Sequence, residues 1–469
     1  MRGVIGEGMD RRGFLASAAA FAALAGPARA GVDGLRLAAR EAWLYGLPLI
    51  QMAAVRTRMV GGGAAAPGLN SFVHARELAT PRSRVVTTPN RDTLYSSAWL
   101  DLTSGSAKIS LPPTGQRYFS LALIDMYTNN IRVISGRDNE GEGGDYEVIG
   151  PNRPIDFHDI ELPRLRLPRL GHPIRATTPW VWALARTQVG GDDDLAVVHG
   201  IQDGLTVEVS RPARAPAAYP GPDAPWGDYL FAVQQLIQEN PAPFDEAEFF
   251  HRIAAIQLGA RRGFEQARFA DSETPDVEAG VREARALAAE PQACGQVVNG
   301  WIYPKPNLGA FGADYVYRAG TAMTGLGALP RTEAVYLRAL AADGTGLFDS
   351  AGQYRLTMPG PPPADAFWSL TLYEAAPDGR LFLTDNPINR YSIGDRTTGL
   401  RWSPRGALDI WIGQPDPGGA HTSNWLPAPA QGKFALVLRA YLPKRDLLDG
   451  HYRLPPVRDL NGPPPHKRD

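Results

Sequence analysis

Asp125-Met126-Tyr127-Thr128-Asn129-Asn130 places a carboxylate, a phenol and two amides within six residues, directly after the apolar run Tyr118 to Ile124. A carboxylate beside a phenol can pass a proton, so Asp125 and Tyr127 are the candidate catalytic groups. Asn130, in the same turn, and Arg137, after the alternating run Ile131 to Ile134, are candidate ligand-binding groups. A second cluster, Asp385 to Arg396, gathers two Asn, two Arg, two Asp and a Tyr. There Asn386, Arg390 and Tyr391 are suited to an anion or a polyhydroxylated ligand, through charge-assisted bonds. A third, Thr87 to Tyr95, carries Asn90, Arg91 and Asp92 after a Pro-Asn turn signal. We expect the loop after 118–124 and the loop 385–396 to face one cavity, lined by Asp125, Tyr127, Asn130, Arg390 and Tyr391. Pockets favour domain junctions where a few polar groups converge. The competing account is local: Asp125 caps its own turn and Arg390 pairs with Asp385 or Asp395.

Several chemistries are absent as motifs. The chain has no G-x-G-x-x-G after a strand, no G-x-x-x-x-G-K-[ST], no G-x-S-x-G and no H-E-x-x-H. Its eight histidines are scattered, with no two within five positions, so no local metal pair exists and no metal site is read. One cysteine, Cys294, excludes a disulfide framework and a multi-thiolate site. The Asp192-Asp193-Asp194 run reads as a solvated turn, because a calcium loop spaces its ligands over a longer stretch. Trp180 and Trp182 read as core, and Trp425 as a loop tryptophan that closes a sheet end. The sequence names no cofactor.

The elements that must hold these clusters alternate in period. Residues 33–59 read as a helix, which Gly46 and Pro48 are expected to kink or divide. From about 70 to 210 the signal is short strands at roughly ten-residue spacing with Gly/Pro turns, as in an antiparallel sandwich. Residues 226–345 turn helical, with segments 229–239, 244–264 and one that starts at Pro275. Strands return at 366–373, 381–383, 408–412 and 434–441. The predicted division is 31–65 N-terminal helix, 66–212 β-sandwich, 213–348 helical region and 349–469 jelly-roll sandwich.

The 469 residues are 44% hydrophobic and 21% charged, too apolar for a disordered chain. A net charge of −1 gives no basic footprint for nucleic acid. Near the N-terminus, Asp10-Arg11-Arg12-Gly13-Phe14-Leu15 precedes a short Ala-rich apolar stretch and Ala28-Arg29-Ala30. This reads as a twin-arginine signal peptide over 1–30, too short to span a bilayer. Its removal takes away four Arg and two acids, moving the net charge from −1 to −3. The expected address is the periplasm or the exterior, and the mature chain has no predicted transmembrane segment.

Thr88-Pro89-Asn90-Arg91-Asp92-Thr93-Leu94-Tyr95-Ser96, Asp125 to Asn130 and Thr178-Pro179-Trp180-Val181-Trp182 with Arg186-Thr187 resemble the domain of unknown function 1254. Ala366-Phe367-Trp368-Ser369-Leu370-Thr371-Leu372-Tyr373, Asp385 to Arg396 and Asn424-Trp425-Leu426-Pro427 resemble its usual partner, the domain of unknown function 1214. The resemblance runs from about residue 38 to 455. It implies a multidomain α+β, mainly β, fold: an immunoglobulin-like sandwich, a helical middle region and a C-terminal jelly roll. It carries no activity and no catalytic residues. Three readings stay open: an enzyme acting on a small polar, carbohydrate or organic-anion substrate by acid/base chemistry; a non-catalytic protein binding an envelope glycan or small ligand; and a structural envelope protein. Oligomeric state is not legible.

Overall fold

The long helix Val32–Val60 runs through the middle of the apolar core, with Trp43, Tyr45, Leu47, Leu49 and Ile50 all at most 2% exposed. Pro48 stands inside it and does not divide it. A helix-interior proline costs about 3 kcal/mol, and burying several large side chains at ~1.5–3 kcal/mol each outweighs that. This computed structural model describes residues 32–61, 66–84, 86–151, 173–211, 213–259, 263–341, 344 and 346–461. The signal peptide read over 1–30 lies outside the described residues.

Helices Trp226–Glu239, Thr274–Ala289 and Tyr315–Thr324 pack around the long helix. The approach to Thr274–Ala289 is close because position 280 is glycine. A Cβ there would lie 2.2 Å from the carbonyl oxygen of Arg36. The stretch 244–264, expected as one amphipathic helix, is instead a 3-10 turn at Phe244–Glu246, a short α-helix at Ala247–Arg252 and a 3-10 turn at Ala254–Ile256. Gln257, Gly259 and Gly263 adopt positive φ, which a continuing α-helix cannot contain.

Helix and strand are mixed throughout. Among the described residues the strands form four sheets. The first runs in the order Val73–His74, Thr93–Asp101, Trp180–Gln188, Phe119–Asp125, Asn130–Ser135, all antiparallel. One face shares a core (Leu100, Leu121, Val181) with a second sheet built on Ser106–Leu111 and Gly144–Ile149. The other face (Trp99, Ile124, Trp182) packs on the helices. Phe119–Asp125 is therefore covered on both faces, which explains its unbroken burial. Helix Leu195–Asp203 interrupts a region read as strands alone.

In the C-terminal half, a curled sheet is centred on Ala364–Ala375 and Lys433–Pro443. Leu370, Leu372, Leu436 and Leu438 on one of its faces share a core with the sheet of Tyr354–Met358 and Leu408–Gly413. Strands Gln296–Val298, Trp301–Tyr303 and Ala334–Ala339 extend the curled sheet. Residues 213–348 are thus not helical throughout, and the C-terminal sheet begins before position 349. These strands are short and lie in a Gly/Pro-rich setting, so sheet partners distant in sequence decide their state. Parallel pairs also occur, Trp425–Pro427 on Leu408–Gly413 and Ile174–Arg175 on Gly144–Ile149.

Candidate functional site

The first sheet and the curled sheet meet through two polar cross-strand rows. In the first sheet Arg186 sits opposite Tyr95 on one neighbouring strand and Ser120 on the other. In the curled sheet Arg439 sits opposite Tyr336 and Ser369 in the same way. Side chains alternate across a strand, so each row shares one face. On the opposite face of each sheet lies an apolar core, leaving the polar rows to meet each other.

The segment before Tyr95 joins them. Asp92 accepts from Ser369 Oγ at 2.6 Å and from Arg396 Nη2 at 2.7 Å. Asn90 Nδ2 donates to Tyr441 Oη at 2.7 Å, while its Oδ1 accepts from the Asp92 backbone N–H at 2.7 Å. The Tyr373 hydroxyl donates to the Pro89 carbonyl at 2.8 Å. Arg439 donates to the Thr88 carbonyl at 3.0 Å and to Tyr373 Oη at 2.7 Å. Thr88 itself sits at φ 48°, a costly conformation for a β-branched residue. Tyr118 closes the cluster, its ring 5.1 Å from Tyr441 and 5.6 Å from Phe367.

Charge in this cluster is unbalanced. Arg186 is 3% and Arg439 5% exposed, and among the described residues neither has a carboxylate within ion-pair distance. The two nearby acids are engaged elsewhere: Asp92 with Arg396, and Glu333 with Arg137. Among the described residues Arg186 donates to the Gly327 carbonyl at 2.7 Å, and its Nε and Nη1 have no hydrogen-bond acceptor in good geometry. Its guanidinium lies over the Tyr95 ring at 5.2 Å. Burial alone would raise the Tyr95 phenol, but Arg186, the Asn90 amide and Arg439 together hold it below its ordinary value. Burial pushes Tyr118, Tyr336 and Tyr441 up, so these three stay donors. Burial likewise lifts the Glu333 carboxyl, against the pull of Arg137. Tyr95 and Tyr336 remain partly exposed, so water-sized space reaches both.

The family described as "Protein of unknown function (DUF1254)" matches residues 69–209, and "Protein of unknown function (DUF1214)" matches 333–445. The chain is a paired DUF1254/DUF1214 protein. One polar row therefore belongs to each half, Tyr95–Arg186–Ser120 to DUF1254 and Tyr336–Arg439–Ser369 to DUF1214. The crystal structure of the VPA0106 protein from Vibrio parahaemolyticus is similar in fold, with TM-score 0.64 and 20% identity, over 90% of this chain and 99% of that one. An uncharacterised protein from Burkholderia cenocepacia aligns at TM-score 0.44 and 12% identity, over 91% of this chain and 94% of that one. No curated protein matches the sequence.

The residues singled out from the sequence are distributed differently from the expected common cavity. The Asp125 carboxylate closes its own turn. It accepts from the backbone N–H groups of Tyr127 and Asn129 at 2.9 and 2.8 Å, and from Thr177 Oγ1 at 2.8 Å. Burial raises its pKa. The Tyr127 hydroxyl donates to the Asn240 carbonyl at 2.8 Å, and Asn130 Nδ2 to the Ala328 carbonyl at 3.0 Å. Arg390 donates to the carbonyls of Thr422, Ser423 and Trp425 at 3.2, 2.9 and 2.9 Å, not to Asp385 or Asp395. Asn386 braces the same loop, through the backbone of Arg390. Tyr391 lies under the Arg91 guanidinium at 4.7 Å. Among the described residues, no hydrogen bond, ion pair or ring contact joins the 125–130 turn to Arg390 or Tyr391. The DUF1214 loop instead meets the Thr87–Tyr95 segment, through Arg396 and Tyr391. Arg137 does reach the interdomain cluster, through Glu333.

Tyr95 lies at the end of the Thr87–Tyr95 cluster noted in the sequence, but Arg186, Arg439, Tyr336 and Tyr441 were not read as part of a site. Their signal is a lone arginine inside an apolar strand, Trp180-Val181-Trp182-Ala183-Leu184-Ala185-Arg186 and Phe434-Ala435-Leu436-Val437-Leu438-Arg439. A buried charge of this kind needs a partner; Arg439 finds a carbonyl in the other half, at Thr88, whereas Arg186 is left with the Gly327 carbonyl and the Tyr95 ring.

Proposed function

We propose that the interdomain tyrosine–arginine cluster is the functional centre of this DUF1254/DUF1214 protein, taking a small organic anion and moving a proton with Tyr95. The observation that carries this reading is the pair of buried guanidiniums without a carboxylate. A buried charge lacking its counterpart costs several kcal/mol, and an anion offsets that cost. In the free protein the Tyr95 phenolate, in its ionised fraction, is that anion. When a ligand binds, its anionic group lies on Arg186 and Arg439, and Tyr95 Oη accepts the proton that the substrate releases. Tyr336 and Tyr441, held protonated, donate to the negative charge that develops. We further propose two-layer sandwiches, immunoglobulin-like in the DUF1254 half and jelly-roll in the DUF1214 half, with the site on their facing outer sheets. Export by the twin-arginine route is supported by Arg11-Arg12, the short apolar stretch and Ala28-Arg29-Ala30, and is tested by fractionating cells that express Arg11→Lys/Arg12→Lys protein.

Calorimetric melting of the full chain with small mono- and dicarboxylates, phosphate and sulfate tests the site. A ligand at a hundred times its Kd stabilises the native state by about 2.7 kcal/mol. The stabilisation should be present in wild type and lost in Arg186→Met. A wild type indifferent to every anion, or an Arg186→Met variant stabilised equally, overturns the reading. Stabilisation without turnover of the bound anion reduces the protein to a binder.

A further inference from the structure

A polar cleft lies beside the 125–130 turn, and it shares no residue with the interdomain cluster. Its walls are Asn129 from the turn, Asp245 and Glu246 from the Phe244–Glu246 segment, and Gly312, Tyr315 and Arg318 from the start of helix Tyr315–Thr324. It encloses about 160 Å³, roughly five water volumes at ~30 Å³ each.

Arg318 is the group that gives this cleft a chemistry. It is 1% exposed and makes one long polar contact, Nη1 to Glu246 Oε1 at 3.3 Å. Its Nε and Nη2 have no partner. Those two nitrogens share one edge of the guanidinium, the fork that matches the two oxygens of a carboxylate. The faces of the guanidinium are already taken by rings, with Tyr45, Tyr315 and Tyr127 at 5.1, 5.0 and 5.6 Å from its carbon. Glu246 is not free to supply a second contact, because its other oxygen accepts from the Tyr45 hydroxyl. Tyr45 and Tyr127 are fully buried, whereas Tyr315 is partly exposed at the cleft and is the ring that separates the guanidinium from it.

We propose that this cleft is a separate binding site for a small monocarboxylate of about two to four carbons, held by the Nε–Nη2 edge of Arg318, with its short carbon chain against Tyr315. The volume suits a small ligand, and the single available fork gives no place for a second carboxylate. The acidic neighbours Asp245 and Glu246 disfavour a multiply charged anion such as phosphate.

The test is a calorimetric titration of the full-length protein with acetate, propanoate and lactate, with phosphate as the control anion. A five-atom ligand at about half the efficiency ceiling of ~1.5 kcal/mol per heavy atom binds with roughly 4 kcal/mol, so binding should appear at a Kd near ~1 mM. Ala313→Leu adds bulk at the exposed mouth of the cleft, away from the buried contacts, and should weaken propanoate roughly tenfold while leaving the melting temperature unchanged. Arg318→Met should abolish the heat. Arg186→Met should leave it intact, which separates this site from the interdomain one. No heat with any of the three acids, phosphate binding as tightly as propanoate, or propanoate binding unchanged by Ala313→Leu overturns the proposal.

Discussion

Arg390 reaches three backbone carbonyls within its own half of the molecule, whereas Arg186 reaches one and leaves two nitrogens without acceptors. The loops 125–130 and 385–396 look like chemistry in the sequence because they concentrate polar groups. In the structure much of that polarity goes into holding the loops, as with Asp125 on its turn and Asn386 on the Arg390 backbone. The strand arginines look like accidents in apolar runs, yet they sit where two sheets from different halves meet. Density of polar residues along the chain measures how much backbone a loop must satisfy. An uncompensated charge in a strand is the better pointer to a ligand.

The largest expected effect falls on the joint between the rows. Asp92→Ala removes the acceptor of both Ser369 and Arg396 and leaves the buried Ser369 hydroxyl unpaired. Urea unfolding should show a loss of about 2–3 kcal/mol, from a buried donor left without its acceptor and a partly exposed ion pair broken. A loss below about 1 kcal/mol would mean that the two halves are held together elsewhere.

Arg186→Met sharpens the contrast by its sign. Replacing a buried unpaired charge with an apolar side chain of similar length is neutral or stabilising by roughly 1–4 kcal/mol, so the melting temperature should hold or rise. Anion affinity should fall by roughly ten- to a hundredfold, the value of hydrogen bonds to a charged group. Arg390→Met should do the reverse. It leaves three carbonyls short of a donor, lowering stability by about 1–2 kcal/mol, and anion affinity should not change.

The smallest effect is a pH slope. Tyr95 has its phenol held below 10, so in the folded state it ionises first. Its contribution to stability is fully present above pH 10 and is lost as pH falls through its folded value. Relative to Tyr95→Phe, wild type should therefore gain stability on approach to pH 10, read by denaturant unfolding at several pH values. The same phenolate competes with a ligand for Arg186, so anion affinity should decline over that window in wild type and stay flat in Tyr95→Phe. A flat wild-type profile would remove Tyr95 from the proton-transfer role.

Period and punctuation in the sequence carried the helix–strand alternation and the burial of Trp180 and Trp182, because these depend on local patterning, while the paired DUF1254/DUF1214 composition came from the resemblance of particular motifs. Pro48 and the 244–264 segment went the other way. Burial of the long helix's side chains overrides a local breaker in the first, and left-handed residues cut a plausible amphipathic pattern in the second. The short strands of 296–303 and 334–339 take their state from the C-terminal sheet, a partner that no local window contains. The sequence did place Thr87–Tyr95 and 385–396 among its polar clusters. Which cluster meets which was decided by long-range pairing, which sets Asp92 against Arg396 and Tyr95 against Arg186 across separations of 304 and 91 positions. A buried charge is judged by what lies across from it, and for Arg186 and Arg439 only the tertiary structure shows that no carboxylate does.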